Sequence, residues 1–211
     1  MAVLPKTGVK VRGDVRRDQI VRAALKIIGK KGVASLTTSA IAREVGISEA
    51  NVYRHVENKE EIYVATAFYV REKIRGNVEK ALAGAAAPVE VLKRLFHLQL
   101  DLMEKNSGIP RFLFSEELHI QQNLREKIIQ MMDAVSATLT SLIRDAQEAG
   151  SIRKDIDART TAMMFIGLMQ GLTFRWSLAG FSFSLSAEGA RLWKNFERCI
   201  TGKKPSTRRG V

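Results

Sequence analysis

The stretch from Thr37 to Tyr63, TTSAIAREVGISEANVYRHVENKEEIY, contains two short apolar pairs at helical spacing with a glycine between them. The pairs are Ile41 with Val45 and Val52 with Val56. Because Gly46 interrupts the period, the pattern predicts two short helices joined by a tight turn. Asn58 is expected to cap a third helix, with the Glu61 side chain reaching back to complete a capping box.

A helix-turn-helix makes specific demands on such a stretch, because its helices cross steeply through a turn of three or four residues. It needs a small residue where the helices approach and a glycine where the backbone takes a positive φ, and Ala42 and Gly46 meet these demands. Ile47 is then expected to fill the corner and Ser48 to cap the second helix. The outward face that remains has the size and polarity to enter a DNA major groove. It consists of Glu49, Ala50, Asn51, Tyr53, Arg54 and His55.

A helical hairpin used only for packing is the alternative interpretation of the same stretch. It explains Ala42 and Gly46 equally well. It gives no role to an exposed Tyr-Arg-His run that is followed by Lys59 at the start of a capped helix. The pattern therefore favours DNA binding.

Apolar residues recur at helical spacing along the whole chain, which predicts an all-α protein of about nine helices and no strand. The predicted spans are about 14–28, 38–45, 48–56, 58–83, 88–106, 109–119, 122–149, 155–178 and 186–200. We expect an N-terminal arm and three-helix DNA-binding domain over 1–58. A larger helical domain for effector binding and dimerisation follows over 59–200, and a basic disordered tail over 201–211.

The net charge of +12 is concentrated at the two ends of the chain. Residues 1–58 hold 11 Lys/Arg against 5 Asp/Glu, residues 59–200 hold 19 against 17, and residues 201–211 hold 4 against none. A basic small domain beside a nearly neutral large one is typical of a protein whose N-terminal part binds a polyanion. A solvated basic surface is the simpler alternative.

Cysteine usage and hydropathy indicate a cytoplasmic protein. The single Cys199 excludes an intramolecular disulfide framework and fits a reducing compartment. No secretory signal is expected at the N-terminus. The longest uncharged run, 160–174, is 15 residues, shorter than the roughly 18 or more that a membrane span requires, so no membrane association is expected.

The chain resembles the TetR/AcrR family of bacterial transcriptional regulators over about residues 15–65. The matching segments are LTTSAIAREVGIS, NVYRHV and NKEEIY, behind an amphipathic first helix, and IPRFLFSEEL and FIGLMQGLTFRWSL are similar to segments of some members. The resemblance implies a nine-helix homodimer that binds a palindromic double-stranded DNA operator and usually represses. It also implies release from DNA when a small molecule enters the C-terminal domain.

Chemistry and the resemblance together assign roles on the DNA side. Thr38 is predicted to cap the second helix, and its amide and hydroxyl can face a phosphate. Tyr53, His55 and Lys59 match the family's contacts to the DNA backbone. For base contacts, Arg54 suits guanine, Asn51 suits adenine and Glu49 suits cytosine N4, while Ser48 and Ala50 complete the predicted DNA-binding set.

A second basic group lies at the N-terminus, where Arg12, Arg16 and Arg17 are predicted to form an arm on the DNA backbone or minor groove. Solvated surface charge is the alternative interpretation.

Six of the seven methionines lie between Met103 and Met169, which predicts either an adaptable ligand pocket or a Met-rich helical core. The predicted ligand-binding residues are Met103, Phe112, Met131, Phe165, Gln170 and Phe174. Gly167 and Gly171, four residues apart, permit close helix approach, and Trp193 and Phe196 form an apolar face on the last helix. The resemblance implies that these two helices pair with their symmetry mates, and packing within one subunit is the alternative.

An enzyme is not expected. The three histidines lack the spacing of metal ligands, and the sequence contains neither a phosphate loop nor a Ser/His/acid set, so no metal site and no cofactor is predicted. The remaining alternative is a DNA-binding protein of the same fold whose C-terminal domain binds a protein partner instead of a small ligand.

Overall fold

The computed structural model describes residues 13–84 and 87–202, and every regular element of these residues is helical. The α-helices are α1 Gly13–Lys31, α2 Thr38–Val45, α3 Glu49–Tyr53, α4 Lys59–Leu82, α5 Pro88–Lys105, α6 Gly108–Leu113, α7 Glu117–Ile120, α8 Gln122–Glu148, α9 Ala158–Leu178 and α10 Leu185–Thr201. The short helix predicted over 109–119 forms two helices, α6 and α7, because the amides of Phe114 and Ser115 fold back onto carbonyls of α6 and end it. Most of the predicted disordered tail, 203–211, lies outside the described residues.

Side chains cap five of the helices at the N-terminus, which explains why the helix starts were predictable. The capping residues are Thr37, Ser48, Asn58, Asp157 and Ser184. The predicted capping box of α4 is only half correct. Asn58 accepts the Glu61 amide at 2.9 Å, but Glu61 Oε2 accepts the amide of Glu57 at 2.7 Å, one residue before the cap.

The first hydrophobic core lies among α1, α2, α3 and the first half of α4. Val52 and Ile62 are fully buried there. Two further fully buried residues, Ile109 and Phe112, come from α6, fifty residues along the chain. The core of the N-terminal part therefore extends past residue 58 and is completed by a helix of the C-terminal part.

The second hydrophobic core lies among α5, α8, α9 and α10, and it also receives Ala81 from the end of α4. Four aromatic side chains form its centre, namely Phe96, Phe165, Trp193 and Phe196. The ring centroids of Phe96 lie 5.4 Å from Phe165 and 5.6 Å from Trp193. Because α4 has side chains in both cores, it connects the two mechanically.

Helix α6 packs unusually closely on α1. A Cβ added to Gly108 would lie 1.9 Å from the carbonyl oxygen of Leu25, so only glycine permits this approach. Arg111 Nη1 donates to the carbonyl of Gly29 at 2.8 Å. The Arg111 guanidinium also lies 4.8 Å from the ring centroid of Phe181, in the loop between α9 and α10. Thus α6 contacts both the end of α1 and the loop between α9 and α10.

Candidate nucleic-acid interface and the adjoining cleft

Helices α2 and α3 form a helix-turn-helix with the geometry that the sequence predicts. Gly46 has a φ of 76° and donates its amide to the Ala42 carbonyl at 2.9 Å, which ends α2. Ile47 packs, partly buried, against the first core, and Ser48 Oγ accepts the Asn51 amide at 3.3 Å to begin α3. The side chain of Val52, on the inner face of α3, is fully buried, so the opposite face is left for a partner.

The predicted cap of α2 is wrong by one residue. Thr37, not Thr38, accepts the Ala40 amide at 3.0 Å, and Thr38 is the first residue of the helix. Its amide is among the first-turn groups that have no partner within the helix, so it remains available to an anion. The Thr38 hydroxyl contacts the Glu49 carboxylate and lies 3.3 Å from the Tyr53 hydroxyl. These three side chains therefore form one polar group between α2 and α3, in which Glu49 and Tyr53 are exposed and Thr38 is half-buried.

Two of the three predicted base-contacting residues, Glu49 and Arg54, are exposed and Asn51 is half-buried, and α3 is shorter than predicted. The helix ends at Tyr53, whose side chain is 51% exposed. Arg54 is its C-cap residue, and the His55 amide donates to the Val52 carbonyl at 2.9 Å in the closing turn. Among the predicted DNA-binding residues, Ser48, Glu49, Ala50, Tyr53, Arg54 and Lys59 are exposed, while Thr38, Asn51 and His55 are half-buried.

Lys59 begins α4 and is held above an aromatic ring that the sequence analysis did not single out. Its Nζ lies 5.5 Å from the ring centroid of Tyr63, which is buried and stacks on Phe112 at 6.2 Å. Burial raises the pKa of the Tyr63 phenol. The contact links a predicted phosphate ligand to α6. The ENKEEIY motif contains Tyr63, but no local pattern indicates that its partner comes from residue 112.

The predicted N-terminal arm is only partly described, since Arg12 lies outside the described residues. Arg16 and Arg17 belong to α1 and do not form an extended arm. Arg17 Nη2 pairs with Glu61 Oε1 at 2.6 Å, and the same carboxylate accepts the Glu57 amide. Arg17 therefore braces the junction between α3 and α4 from α1.

A cleft of about 1270 Å³ opens between α4 and α8, with contributions from α1, α5 and α9. Val64 and Ile128 on its wall pack against the first core, whereas Val135 and Phe165 belong to the second. The cleft thus spans the junction between the two cores. Its size and mostly apolar lining are those of a site for a small organic molecule.

Only two of the six predicted ligand-binding residues, Met131 and Phe165, line this cleft. Phe112 is fully buried in the first core, and Met103 packs against both cores. Gln170 and Phe174 are exposed on the outward side of α9. These four residues therefore lie away from the cleft, because residue type alone does not tell which side of a helix faces a cavity.

Helix α4 supplies a wall of the cleft that contains none of the predicted ligand-binding residues. Val64, Phe68 and Val78 from this helix line the cleft. Phe68 is 58% exposed, a high value for a phenylalanine within a long helix. Its spacing from Val64, four residues earlier, was the available signal, because it places both side chains on one face.

The outward side of α9 carries a continuous stripe of apolar and small residues. The members of this α9 stripe are Met163, Gly167, Gly171, Phe174 and Leu178, at intervals of three and four residues, and the polar Gln170 lies exposed beside it. Gly167 and Gly171 have no atom within 4 Å of an added Cβ, and Leu178 is 73% exposed. Trp193 and Phe196, by contrast, are 2% and 4% exposed in the second core, so the structure assigns them to packing within the subunit and not to an interface.

Within residues 13–84 and 87–202, no three His, Cys, Asp or Glu side chains cluster as metal ligands would. No helix of that part of the chain has the length and hydropathy of a membrane span.

Two family models match the chain. The model described as bacterial regulatory proteins of the tetR family matches residues 20–66, which contain the helix-turn-helix. The model described as a tetracyclin repressor-like C-terminal domain matches residues 85–177.

Similar proteins include both curated relatives and solved structures. Nucleoid occlusion factor SlmA of Vibrio campbellii is 24% identical over 180 residues, or 84% of this chain and 92% of that protein. The fatty acid degradation regulator FadR of Bacillus halodurans matches with a TM-score of 0.76 at 21% identity, covering 93% of this chain and 97% of that one. The transcriptional regulator FadR of Bacillus subtilis, solved with stearoyl-CoA, matches with a TM-score of 0.74 at 20% identity, covering 89% and 99%.

At these identities the solved structures establish the fold and nothing finer. The two family models together match the helix-turn-helix and most of the larger helical part, in agreement with the geometry of α2 and α3. This chain therefore belongs to the TetR family of DNA-binding transcriptional regulators.

Proposed function

We propose that this regulator is a repressor that binds a palindromic operator as a homodimer and leaves it when a small apolar or amphipathic molecule enters the cleft between α4 and α8. The observation that carries the proposal is the position of that cleft. Its walls belong to both hydrophobic cores, so a molecule that fills it changes the packing of the DNA-binding part against the rest. A ligand that favours one arrangement of the two cores shifts the equilibrium between them.

The DNA contacts follow from the exposed face of the helix-turn-helix. Thr38, Tyr53, His55 and Lys59 bind phosphates and fix the position of the domain on the duplex. Arg54, Asn51 and Glu49 contact base edges in the major groove, and Ser48 and Ala50 lie at the start of the same face. The exposure of Arg54 and Tyr53 supports these roles.

The α9 stripe is the surface through which two copies associate. An apolar, glycine-containing face on a long helix lets a second copy approach closely, and a two-fold axis presents the same face from each subunit. The exposed side chains of Met163 and Leu178 support this assignment. Phe174 lies on this stripe and Gln170 beside it, and both join the interface.

One solved relative favours a small-molecule effector. The similar Bacillus subtilis regulator was solved in complex with stearoyl-CoA, an amphipathic molecule. The second candidate is a protein partner in place of a small ligand, and the similarity to nucleoid occlusion factors at 24% identity gives it only weak support. The mostly apolar cleft is the reason for preferring the small molecule.

The test begins with in vitro selection of DNA sites and then titrates candidate ligands into the protein–operator complex, with thermal stabilisation of the free protein measured in parallel. An effector should stabilise the protein and weaken operator binding by roughly 5- to 150-fold, the usual range for coupling between sites. Compounds that stabilise the protein and leave operator affinity unchanged would exclude induction. A screen without any binder would favour the protein partner.

A matched pair of variants locates the effector. Ala134 lines the cleft and Ala137, one turn further along α8, does not, although both side chains are exposed. Ala134→Trp should fill the cleft and abolish the ligand response while operator binding persists. Ala137→Trp should retain both, and equal loss in the two variants would place the ligand elsewhere.

A further inference from the structure

The cleft between α4 and α8 carries charge as well as apolar surface. Its lining includes five basic side chains and only two carboxylates. The basic residues are Arg17, Arg71, Lys73, Arg75 and Lys127, and the acidic residues are Asp18 and Glu72. This excess of positive charge is not required for binding a purely apolar ligand.

Internal ion pairs account for part of the charge but not for all of it. Arg17 pairs with Glu61 at 2.6 Å, and Arg75 pairs with Glu72 at 2.8 Å and also with Glu79. Arg71 contacts the same Glu72 at 3.5 Å. The arginines are therefore largely balanced by carboxylates on α4.

The two lysines differ from the arginines in this respect. Among the ion pairs of the described residues, none includes Lys73 or Lys127. Lys73 Nζ lies 5.0 Å from the ring centroid of Tyr69, and Lys127 is exposed in the first part of α8. One lysine comes from α4 and the other from α8, the helices that form the two sides of the cleft.

We infer that the effector is a small amphipathic anion, an apolar acid taken from solution, whose negative group binds Lys73 and Lys127 and whose apolar part lies against Val135, Leu139 and Phe165. This inference rests on the proposed function and specifies the class of effector. An anion that binds at the rim of the cleft keeps much of its hydration, so its pairing with the lysines costs little desolvation energy. Each methylene group that is buried in the cleft increases the affinity about fourfold. An amphipathic cation of the same length meets like charge and is disfavoured.

The test compares four dodecyl compounds by isothermal titration calorimetry with the full-length protein, the three ionic ones below their micelle concentrations and the uncharged alcohol below its solubility limit. They are dodecanoate, dodecyl phosphate, dodecanol and dodecyltrimethylammonium. We expect the two anions to bind more tightly than dodecanol by roughly three- to tenfold, the range given by one or two exposed ion pairs. The preference should weaken at high salt, because exposed charges are screened.

Variants then assign the preference to the two lysines. Lys73→Gln with Lys127→Gln should remove the preference for the anions and leave dodecanol affinity unchanged. Lys194→Gln, on the exposed side of α10, removes a lysine that does not line the cleft and should change nothing. Unchanged thermal midpoints without ligand show that the variants are folded.

The outcomes separate this inference from the function on which it rests. If dodecanol or the cation binds as tightly as dodecanoate and still releases operator DNA, the anion assignment is wrong and ligand-induced release stands. Binding to anionic vesicles but not to dodecanoate would overturn the assignment in favour of a membrane surface. If none of the four compounds binds, the anion assignment fails, and if wider ligand screening also finds no effector, so does the proposed function.

Discussion

Lys59 and Arg54 differ in what they offer to DNA, although both are exposed cations five residues apart. Lys59 begins α4 above Tyr63 and is proposed to contact the DNA backbone as a point charge, so Lys59→Ala should weaken binding to all sequences alike. The slope of log affinity against log salt concentration should also become shallower by about 0.9, the value for the loss of one phosphate contact. Fluorescence anisotropy across a salt series on operator and random duplexes measures both effects.

Arg54→Ala should act at one base position of the operator, with a cost of roughly 1–3 kcal/mol, because a guanidinium that binds guanine discriminates against other bases. The measurement is competition between the operator and single-base variants. Arg191→Ala, on the exposed side of α10, is the control and should leave DNA affinity unchanged. Equal losses on operator and random DNA would mean that Arg54 contacts phosphate.

Single residues also show what the sequence could and could not predict about the site. Gly46, Ser48 and Asn58 act on neighbours within four residues, so their roles follow from local patterns. Phe112 and Phe174 were assigned to the pocket by residue type, yet one is buried in the first core and the other is exposed on α9. Their surroundings are set by how whole helices pack, which a local pattern does not contain.

At the scale of elements, the start of α10 is held by a side chain from α5. Glu104 Oε1 accepts the Leu185 amide at 2.8 Å, and its Oε2 accepts the Ser186 amide at 3.2 Å and contacts the Ser186 hydroxyl. Burial alone would raise the pKa of this carboxyl, but the hydrogen bonds from Ser186 and Leu185 outweigh it and lower the pKa.

Glu104→Gln should therefore lower the free energy of unfolding by about 1–2 kcal/mol at neutral pH, the range for a lost cap and a charged hydrogen bond. A lowered folded-state pKa means that the stabilisation is present above the ordinary glutamate pKa and is lost as the pH falls through the lowered value. Urea unfolding at several pH values should show the difference from the parent protein shrinking in acid. Asp101→Asn, an exposed ion-paired residue on α5, should show a much smaller effect at neutral pH.

The contact between α6 and α1 leads to a second prediction at this scale. In Gly108→Ala the new methyl group would meet the Leu25 carbonyl, so we expect destabilisation of roughly 1–3 kcal/mol as α6 is pushed from α1. Gly76→Ala in α4 is the matched control, because a Cβ at this position has no atom within 4 Å. This substitution should stabilise the helix by about 0.5–1 kcal/mol. Chemical denaturation of both variants measures this, and equal effects would show that the close approach is not maintained in solution.

At the scale of the whole molecule, the α9 stripe predicts the effect of Gly171→Leu. Its Cβ has open space in the single subunit, so the leucine should leave subunit packing unchanged and yet keep a second copy from approaching closely. Analytical ultracentrifugation should show weaker dimerisation, and operator affinity should fall with it. Arg191→Leu, an equally exposed position on α10, should retain the dimer. If Gly171→Leu dimerises as tightly as the parent protein, the dimer interface does not include this part of the α9 stripe.

The overall fold was more predictable than the contacts between its parts. Helices with side-chain caps began within about three residues of the predicted positions, as Asn58 and Asp157 illustrate. The predicted domain boundary at residue 58 depends on charge and on the ends of the motif. These features do not indicate which distant helix completes a hydrophobic core. Ile109 and Phe112 could not have been assigned to the first core without the fold.

The sharing of α4 between the two cores, together with the insertion of α6 into the first, has a consequence for cooperativity. A fragment that ended at residue 58 would lose Ile62, Tyr63, Ile109 and Phe112 from its interior, leaving too little buried apolar surface to offset chain entropy. We therefore expect that the helix-turn-helix does not fold as an independent module. Calorimetry of the intact chain should give a single unfolding transition for both cores. The reason is that unfolding of one core removes packing contacts that stabilise the other.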